Sequence, residues 1–228
     1  RRPEFRMTAQ VLLLDFGSVI SKSLFETLED IEATFGLEPG TLDWSGPLAG
    51  RDDALWQSMQ RDEISERDYW YRRAAELSEQ VGETLTIKDI IRRSRGQDVN
   101  SVIRPEVVAV VQTAKAAGRT TAIFTNEMQL FYGADVIEQL DLLNHMDHLF
   151  DATTTKILKP DPRAYEMVCA GLGLPPGQIV FVDDQTRNIA GAKAVGMLAV
   201  KFDINTPRTC FNQALTLLGI PTLDESVA

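Results

Sequence analysis

The sequence predicts an α/β protein: a doubly wound parallel sheet interrupted early by an all-helical insert. Three observations carry this. Short, unbroken apolar runs recur along the chain, as strands buried on both faces require. Capped helical patterns separate them, and strands alternating with helices build parallel sheets. Between the first run and the others, residues 21–100 show helical patterning alone, too long for an ordinary strand-to-helix connection.

The 228-residue chain is 44% hydrophobic and 25% charged, the composition of a chain that folds around a core. Residues 1–6 precede Met7, include Arg1, Arg2 and Arg6, and are set aside as foreign to the fold. The strand runs are Val11–Leu14, Thr121–Phe124, Ile179–Val182 and Leu198–Phe202, with a weaker one at His148–Asp151. In the insert, Phe25, Leu28, Ile31 and Phe35 recur at helical spacing. Ser65 and Asp68 make a capping-box pattern before Tyr69–Gln80, which Gly82 ends, and Thr86 and Asp89 repeat it before Ile90–Arg95. Pro105 opens a helix that Gly118 closes, with Val107, Val108, Val110 and Val111 as its apolar face. Pro162 starts another, over Arg163–Leu172. The chain thus divides into a core of residues 7–20 and 101–228 and a helical cap of residues 21–100. An insert at the carboxyl end of a strand lands over the ligand crevice of such a sheet, where it can act as a lid.

Charge and composition exclude several roles. The net charge is −10 and no basic stripe stands out, so a nucleic-acid partner is not expected. The cluster Arg92, Arg93, Arg95 reads as a helix end. The apolar runs fall far short of the ~20 residues of a membrane span, and Asp15 breaks the one N-terminal apolar stretch, so no secretory leader is expected. Cys169 and Cys210 form no CxxC pair. They read as reduced thiols of a cytoplasmic protein, neither a disulfide framework nor a zinc site. His145 and His148 have no ligand-like spacing and read as structural or surface residues. Oligomeric state is not legible.

Chemistry gathers where strands end. Asp15 directly follows Val11–Leu14, and a carboxylate there needs a cation or hydrogen bonds. Thr125 and Asn126 follow the second run, where a hydroxyl and backbone N–H groups can hold an oxyanion. Lys159-Pro160-Asp161-Pro162 places a lysine on a stiff, extended loop, suited to neutralising phosphoryl charge. Asp183 and Asp184 end the buried run Ile179–Val182. Adjacent carboxylates repel and need a cation, and hard oxygen ligands favour Mg²⁺. Asn188 is placed to support that loop.

Together, Asp15-Phe16-Gly17-Ser18-Val19, Thr125-Asn126, Lys159-Pro160-Asp161-Pro162 and Asp183-Asp184 with Asn188 resemble the four motifs of the haloacid dehalogenase-like hydrolase superfamily. The resemblance runs from Val11 to about Phe202, and the helical insert sits where one cap type of that superfamily sits. The segment Arg61–Trp70 resembles caps of small-molecule phosphatases, among them sugar-phosphate phosphatases and the phosphatase domain of epoxide hydrolases. The resemblance implies a Rossmann-like core, a small phosphorylated substrate and Mg²⁺. It implies that Asp15 is nucleophile and metal ligand, that Gly17 offers a backbone carbonyl to the metal, and that Thr125 and Asn126 bind the phosphoryl group. It further implies that Lys159 offsets charge, that Asp184 ligates the metal with Asp183 as ligand or neighbour, and that Asn188 supports them.

One departure matters. Most phosphatases of the superfamily carry a second Asp, the proton donor, where this chain has Gly17. General acid help is worth ~10²–10⁴-fold, so Glu127 or a residue of the cap is a candidate substitute. Gly17 also suits a metal-independent 2-haloacid dehalogenase, which needs no acid, and a binding protein that has lost turnover. Asp183 and Asp184 argue against the dehalogenase, because they would repel a substrate carboxylate. In the cap, Trp44, Trp56 and Trp70 suit packing, and Trp44, on a loop, is the one best placed to line the crevice. Arg51 could grip an anionic tail. Phe131 and Tyr132 could face the cap.

Overall fold

A computed structural model describes residues 8–48, 52–96 and 98–223; residues 1–6 and Arg51 lie outside them. Five parallel strands, β1 (Val11–Leu14), β2 (Thr120–Thr125), β3 (His148–Asp151), β4 (Ile179–Asp183) and β5 (Leu198–Lys201), form one sheet in the order β3-β2-β1-β4-β5. The fold is the expected doubly wound, Rossmann-like α/β architecture. β1 is central, and its neighbours arrive from opposite directions of winding, so the crevice opens beyond its carboxyl end.

The alternation of side chains along each strand feeds two cores. Leu12, Leu14, Ile123, Val180 and Val182 pack toward α5 (Pro105–Ala116) and α11 (Pro207–Leu217). Val11, Leu13, Phe124, Ile179 and Phe181 pack toward α9 (Pro162–Leu172) and α10 (Thr186–Ala194). Pro at the first turn of α5, α9 and α11 supplies their fixed starts. Val108 does not share the buried face of α5: it is 37% exposed, while Val107, Val110 and Val111 are buried. A run of valines spans more of the helix circumference than the core can cover.

Between β1 and α5 the described residues form α1 (Leu28–Thr34), α2 (Ala54–Gln60), α3 (Glu66–Val81) and α4 (Ile87–Ser94), with no strand. The apolar spacing from Phe25 to Phe35 is helical only from Leu28. Both capping boxes form, Ser65 with Asp68 and Thr86 with Asp89, and Gly82 ends α3 in the left-handed region. The chain leaves and re-enters the core through a narrow neck: Ser21 bridges Ile103, Lys22 N–H donates to Val102 O at 2.8 Å, and Arg104 N–H donates to Ile20 O at 2.9 Å. The smaller elements α6 (Met128–Tyr132), α7 (Ala134–Ile137) and α8 (Ala152–Thr155) follow β2 and β3. No described helix is long and apolar enough to cross a membrane. Cys169 and Cys210 are free thiols, and both histidines are exposed.

Asp53 holds the helical insert together. Its buried carboxylate accepts from Trp56 N–H (2.7 Å), Gly46 N–H (3.0 Å) and Tyr69 OH (3.0 Å), and it pairs with Arg73 at 2.6 Å. Burial alone would raise its pKa, but the two N–H groups and Arg73 outweigh burial and hold it below the usual range. Gly46 has φ +48°, and a Cβ there would meet the Phe25 ring at 2.5 Å. Asp53→Ala takes from the buried Arg73 its one fully buried partner, leaving it Glu76 at 2.8 Å, and removes a helix cap, so a loss of about 3 kcal/mol is expected. Urea denaturation checks it.

Candidate active site

Sheet register brings the acids together. Leu14 lies beside Ile123 of β2 and Val182 of β4, so Asp15, Thr125 and Asp183 emerge at one end of three adjacent strands. Asp15 N–H donates to Val182 O at 2.9 Å, which fixes the turn out of β1. The loop that follows is irregular, with Gly17 extended (φ −64°, ψ 134°) and Ser18 left-handed (φ 63°). Arg104 clamps it, donating to Ser18 O from Nε (2.9 Å) and Nη2 (2.8 Å) while its Nη1 pairs with Glu26 at 2.8 Å.

Lys159 stands at the centre. Its ammonium donates to Asp15 Oδ1 (2.8 Å), Asp183 Oδ2 (2.7 Å) and Phe124 O (2.9 Å), so all three N–H bonds are used in a buried site. The Asn126 amide holds the lysine backbone from both sides: Lys159 N–H donates to Asn126 Oδ1 at 2.8 Å, and Asn126 Nδ2 donates to Lys159 O at 3.2 Å. The Lys159–Pro160 bond is cis. Asp183 is fully buried and saturated: Gln185 N–H donates to Oδ1 at 2.7 Å, and Asn188 Nδ2 reaches both oxygens. Thr125 is buried at the last position of β2.

Negative charge exceeds positive here. Asp15, Asp183 and Asp184 each present a carboxylate oxygen within 4.8 Å of the others. Burial pushes Asp15 up to about 7 against the pull of Lys159, and Asp183 and Glu66 add to the rise. Burial raises Asp184 well above the ordinary range, and Asp183, Asp15 and Glu66 reinforce it. Burial works to lower Lys159, yet Asp15 and Asp183 hold it above the ordinary lysine range. Among the described residues no lysine or arginine forms an ion pair with Asp184. Three buried carboxylates around one ammonium leave a charge deficit that a hard, oxygen-seeking divalent cation fills, so the residues fit Mg²⁺.

The family pattern of the haloacid dehalogenase-like hydrolases matches residues 13–196. The chain belongs to that family. Relatives of this chain are named for two different activities. An (S)-2-haloacid dehalogenase of Pseudomonas sp. (strain CBS-3) is 35% identical over 46% of this chain and 46% of its own. The phosphatase MT3486 of Mycobacterium tuberculosis is 26% identical over 77% of this chain and 78% of its own. Among solved structures, the L-2-haloacid dehalogenase RSc1362 superposes with a TM-score of 0.61 at 18% identity, covering 97% of this chain and 92% of that one. The chain spans less than half the length of the first curated relatives it matches.

Asp15, Lys159, Asp183, Asp184 and Asn188 thus converge at the strand ends, Gly17 lines a cavity with Asp15 and Asp184, Asn126 lines a cleft with Lys159, and Thr125 is buried where β2 ends. The Asn126 side chain is turned to the Lys159 backbone rather than left free for a phosphoryl oxygen. Trp44 is buried, donates from Nε1 to Glu76 at 3.1 Å, and lies apart from the crevice. Trp56, Trp70, Phe131 and Tyr132 line a cavity of about 80 Å³ that also touches Asp15 and Asp184. Glu127 is buried and engaged by Arg67 of α3.

One residue of this site was not legible in the sequence. Glu66, the first residue of α3, lines the cavity beside Asp15, Gly17 and Asp184, and also a second cleft of about 460 Å³ beside Asn126 and Lys159. It shares that cavity with Gln185, and burial raises it above the usual range, with Arg187 and Lys159 pulling the other way. The Ser65–Asp68 capping box located this turn, but nothing local shows that the turn rests on the crevice.

Proposed function

We propose that the chain is a Mg²⁺-dependent phosphatase of a small phosphorylated metabolite, with residues 21–100 as the cap over its crevice. The observation that carries this reading is the charge deficit: three buried carboxylates, one lysine, and, among the described residues, no ion pair from a lysine or arginine to Asp184. Asp15, Asp184 and the Gly17 carbonyl would hold Mg²⁺ with Asp183 beside them. The ion would neutralise charge on the phosphoryl oxygens, where most phosphoryl-transfer catalysis arises.

This chain's residues supply the rest. Asp15 attacks phosphorus and forms an aspartyl phosphate, which water then hydrolyses. Lys159 fixes the Asp15 carboxylate in place and offsets incoming charge. Asp183 holds Lys159, with Asn188 and Gln185 N–H holding Asp183. Thr125 and the backbone at Asn126 receive the phosphoryl oxygens, while the Asn126 amide keeps the lysine loop in position. The cap excludes water and contacts the leaving group.

The dehalogenase relative supports a second reading, a metal-independent 2-haloacid dehalogenase. A haloacid carboxylate would then sit against Asp183 and Asp184, and like charges a few ångströms apart in a buried site repel strongly. A panel of sugar phosphates, nucleotides, acyl phosphates and an aryl phosphate separates the two. Phosphate release with Mg²⁺ that stops in EDTA is expected. Halide release from 2-haloacids without metal, with no phosphate from any ester, would establish the dehalogenase instead.

Metal binding itself is a further check. Asp15 must lose its proton to take a cation, and burial has pushed that carboxyl up to about 7. Mg²⁺ affinity should therefore rise with pH to about 7, changing about tenfold per unit below it for each proton displaced. Calorimetry in two buffers of different ionisation enthalpy reads the released proton.

A further inference from the structure

Position 17, two residues after Asp15, is glycine and offers no acid to the leaving group. Resting on the phosphatase reading, we propose that Glu66, delivered by α3, protonates the departing oxygen. It bounds both the cavity at Asp15, Gly17 and Asp184 and the cleft at Asn126 and Lys159, so it stands where a leaving group passes between core and cap.

The other crevice acids are engaged. Asp15 and Asp183 share Lys159, Asp184 belongs to the metal-holding set, and Glu127 is held by Arg67. Among the described residues Glu66 forms no ion pair with a lysine or arginine, and the neutral Gln185 lies beside it in the cavity lining. Arg187 lines the cleft with Glu66, and its Nε donates to Gln185 Oε1 at 2.9 Å and its Nη1 to Asp62 at 2.8 Å. A dianionic phosphoryl group entering among Asp15, Asp183, Asp184 and Glu66 makes a proton most favourable on the carboxyl that lacks an ammonium or guanidinium hydrogen bond.

The same turn is pinned to the core on both sides of Glu66. Asp62 pairs with Arg187 of α10, and Arg67 pairs with Glu127 beyond β2. Ser65 caps the helix between them. The acid is therefore in place when the cap is down, so closure and chemistry are linked.

The step balances. Asp15 bonds to phosphorus as the ester P–O bond breaks, and the Glu66 proton goes to the departing oxygen. Glu66, now a carboxylate, takes a proton from the water whose oxygen bonds to phosphorus as the Asp15–phosphorus bond breaks. Alcohol and inorganic phosphate leave, and both side chains return to their starting states.

The test compares a simple alkyl phosphate with p-nitrophenyl phosphate, whose leaving group departs without a proton. Glu66→Gln should lower kcat on the alkyl ester by about a hundredfold or more and on the aryl ester far less. Gly17 has φ −64°, and a Cβ there meets nothing within 4 Å, so Gly17→Asp on the Glu66→Gln background should restore alkyl ester turnover. Equal losses on both esters, or no loss, overturn the assignment while leaving the phosphatase reading intact. Wild-type protein inert toward both esters overturns that reading and this one with it.

Discussion

Asp15→Asn should silence phosphate release by on the order of 10⁴-fold or more while making the metal-free protein more stable. The loss of activity follows from removing the only group placed to bond to phosphorus. The gain in stability follows from electrostatics. Burial and Asp183 make the ionised Asp15 costly, which is why its pKa sits at about 7 rather than near 4. A raised folded-state pKa means that the folded chain keeps a proton the unfolded chain has lost. Stability from this group is full below about pH 4, declines as pH rises toward 7, and is flat above it. Asparagine carries no such slope, and its amide oxygen can still accept from Lys159. The lysine also keeps Asp183 at 2.7 Å and Phe124 O at 2.9 Å. Thermal melts from pH 4 to 8 should show the variant melting several degrees above wild type at pH 8 and level with it near pH 4. A variant less stable at pH 8 would mean that the Asp15–Lys159 attraction outweighs the burial of charge.

What the sequence made legible is what local chemistry dictates. Val11–Leu14 and Ile179–Val182 read as strands because both sheet faces are covered, and the acids at their ends were visible as polar residues where apolar runs stop. The capping boxes at Ser65 and Thr86 located two helices, since a cap is a contact between residues three apart. The helix face at Val108 misled, because four closely spaced valines overstate the width of a buried stripe. The grip of the Asn126 side chain on the Lys159 backbone is not legible in the sequence, because it joins residues thirty-three positions apart. Glu66, the Arg67–Glu127 pair and the Asp62–Arg187 pair stayed hidden for the same reason. Each depends on where the insert comes to rest on the core, and no local pattern encodes that.

Lys159→Met tests the other half of the charge balance. The side chain is replaced by one of similar length, so packing against Phe124 and Phe181 is largely kept, but the ammonium is gone. Asp15 and Asp183 are then buried without their shared partner, and removing one member of a buried ion pair costs about 3–5 kcal/mol. That loss should appear in full at pH 8, where Asp15 is driven to ionise. Without the ammonium the Asp15 carboxyl takes up a proton more readily, so the deficit should shrink as pH falls toward 5. Added Mg²⁺ should recover part of it at pH 8, because a bound dication replaces the missing charge and binds only the folded chain. Urea denaturation at pH 5 and pH 8, with and without Mg²⁺, separates the causes. A deficit equal at both pH values and indifferent to Mg²⁺ would place the role of Lys159 in packing. A deficit that follows pH and metal makes the lysine the counter-ion that allows three acids to be buried at the ends of adjacent strands.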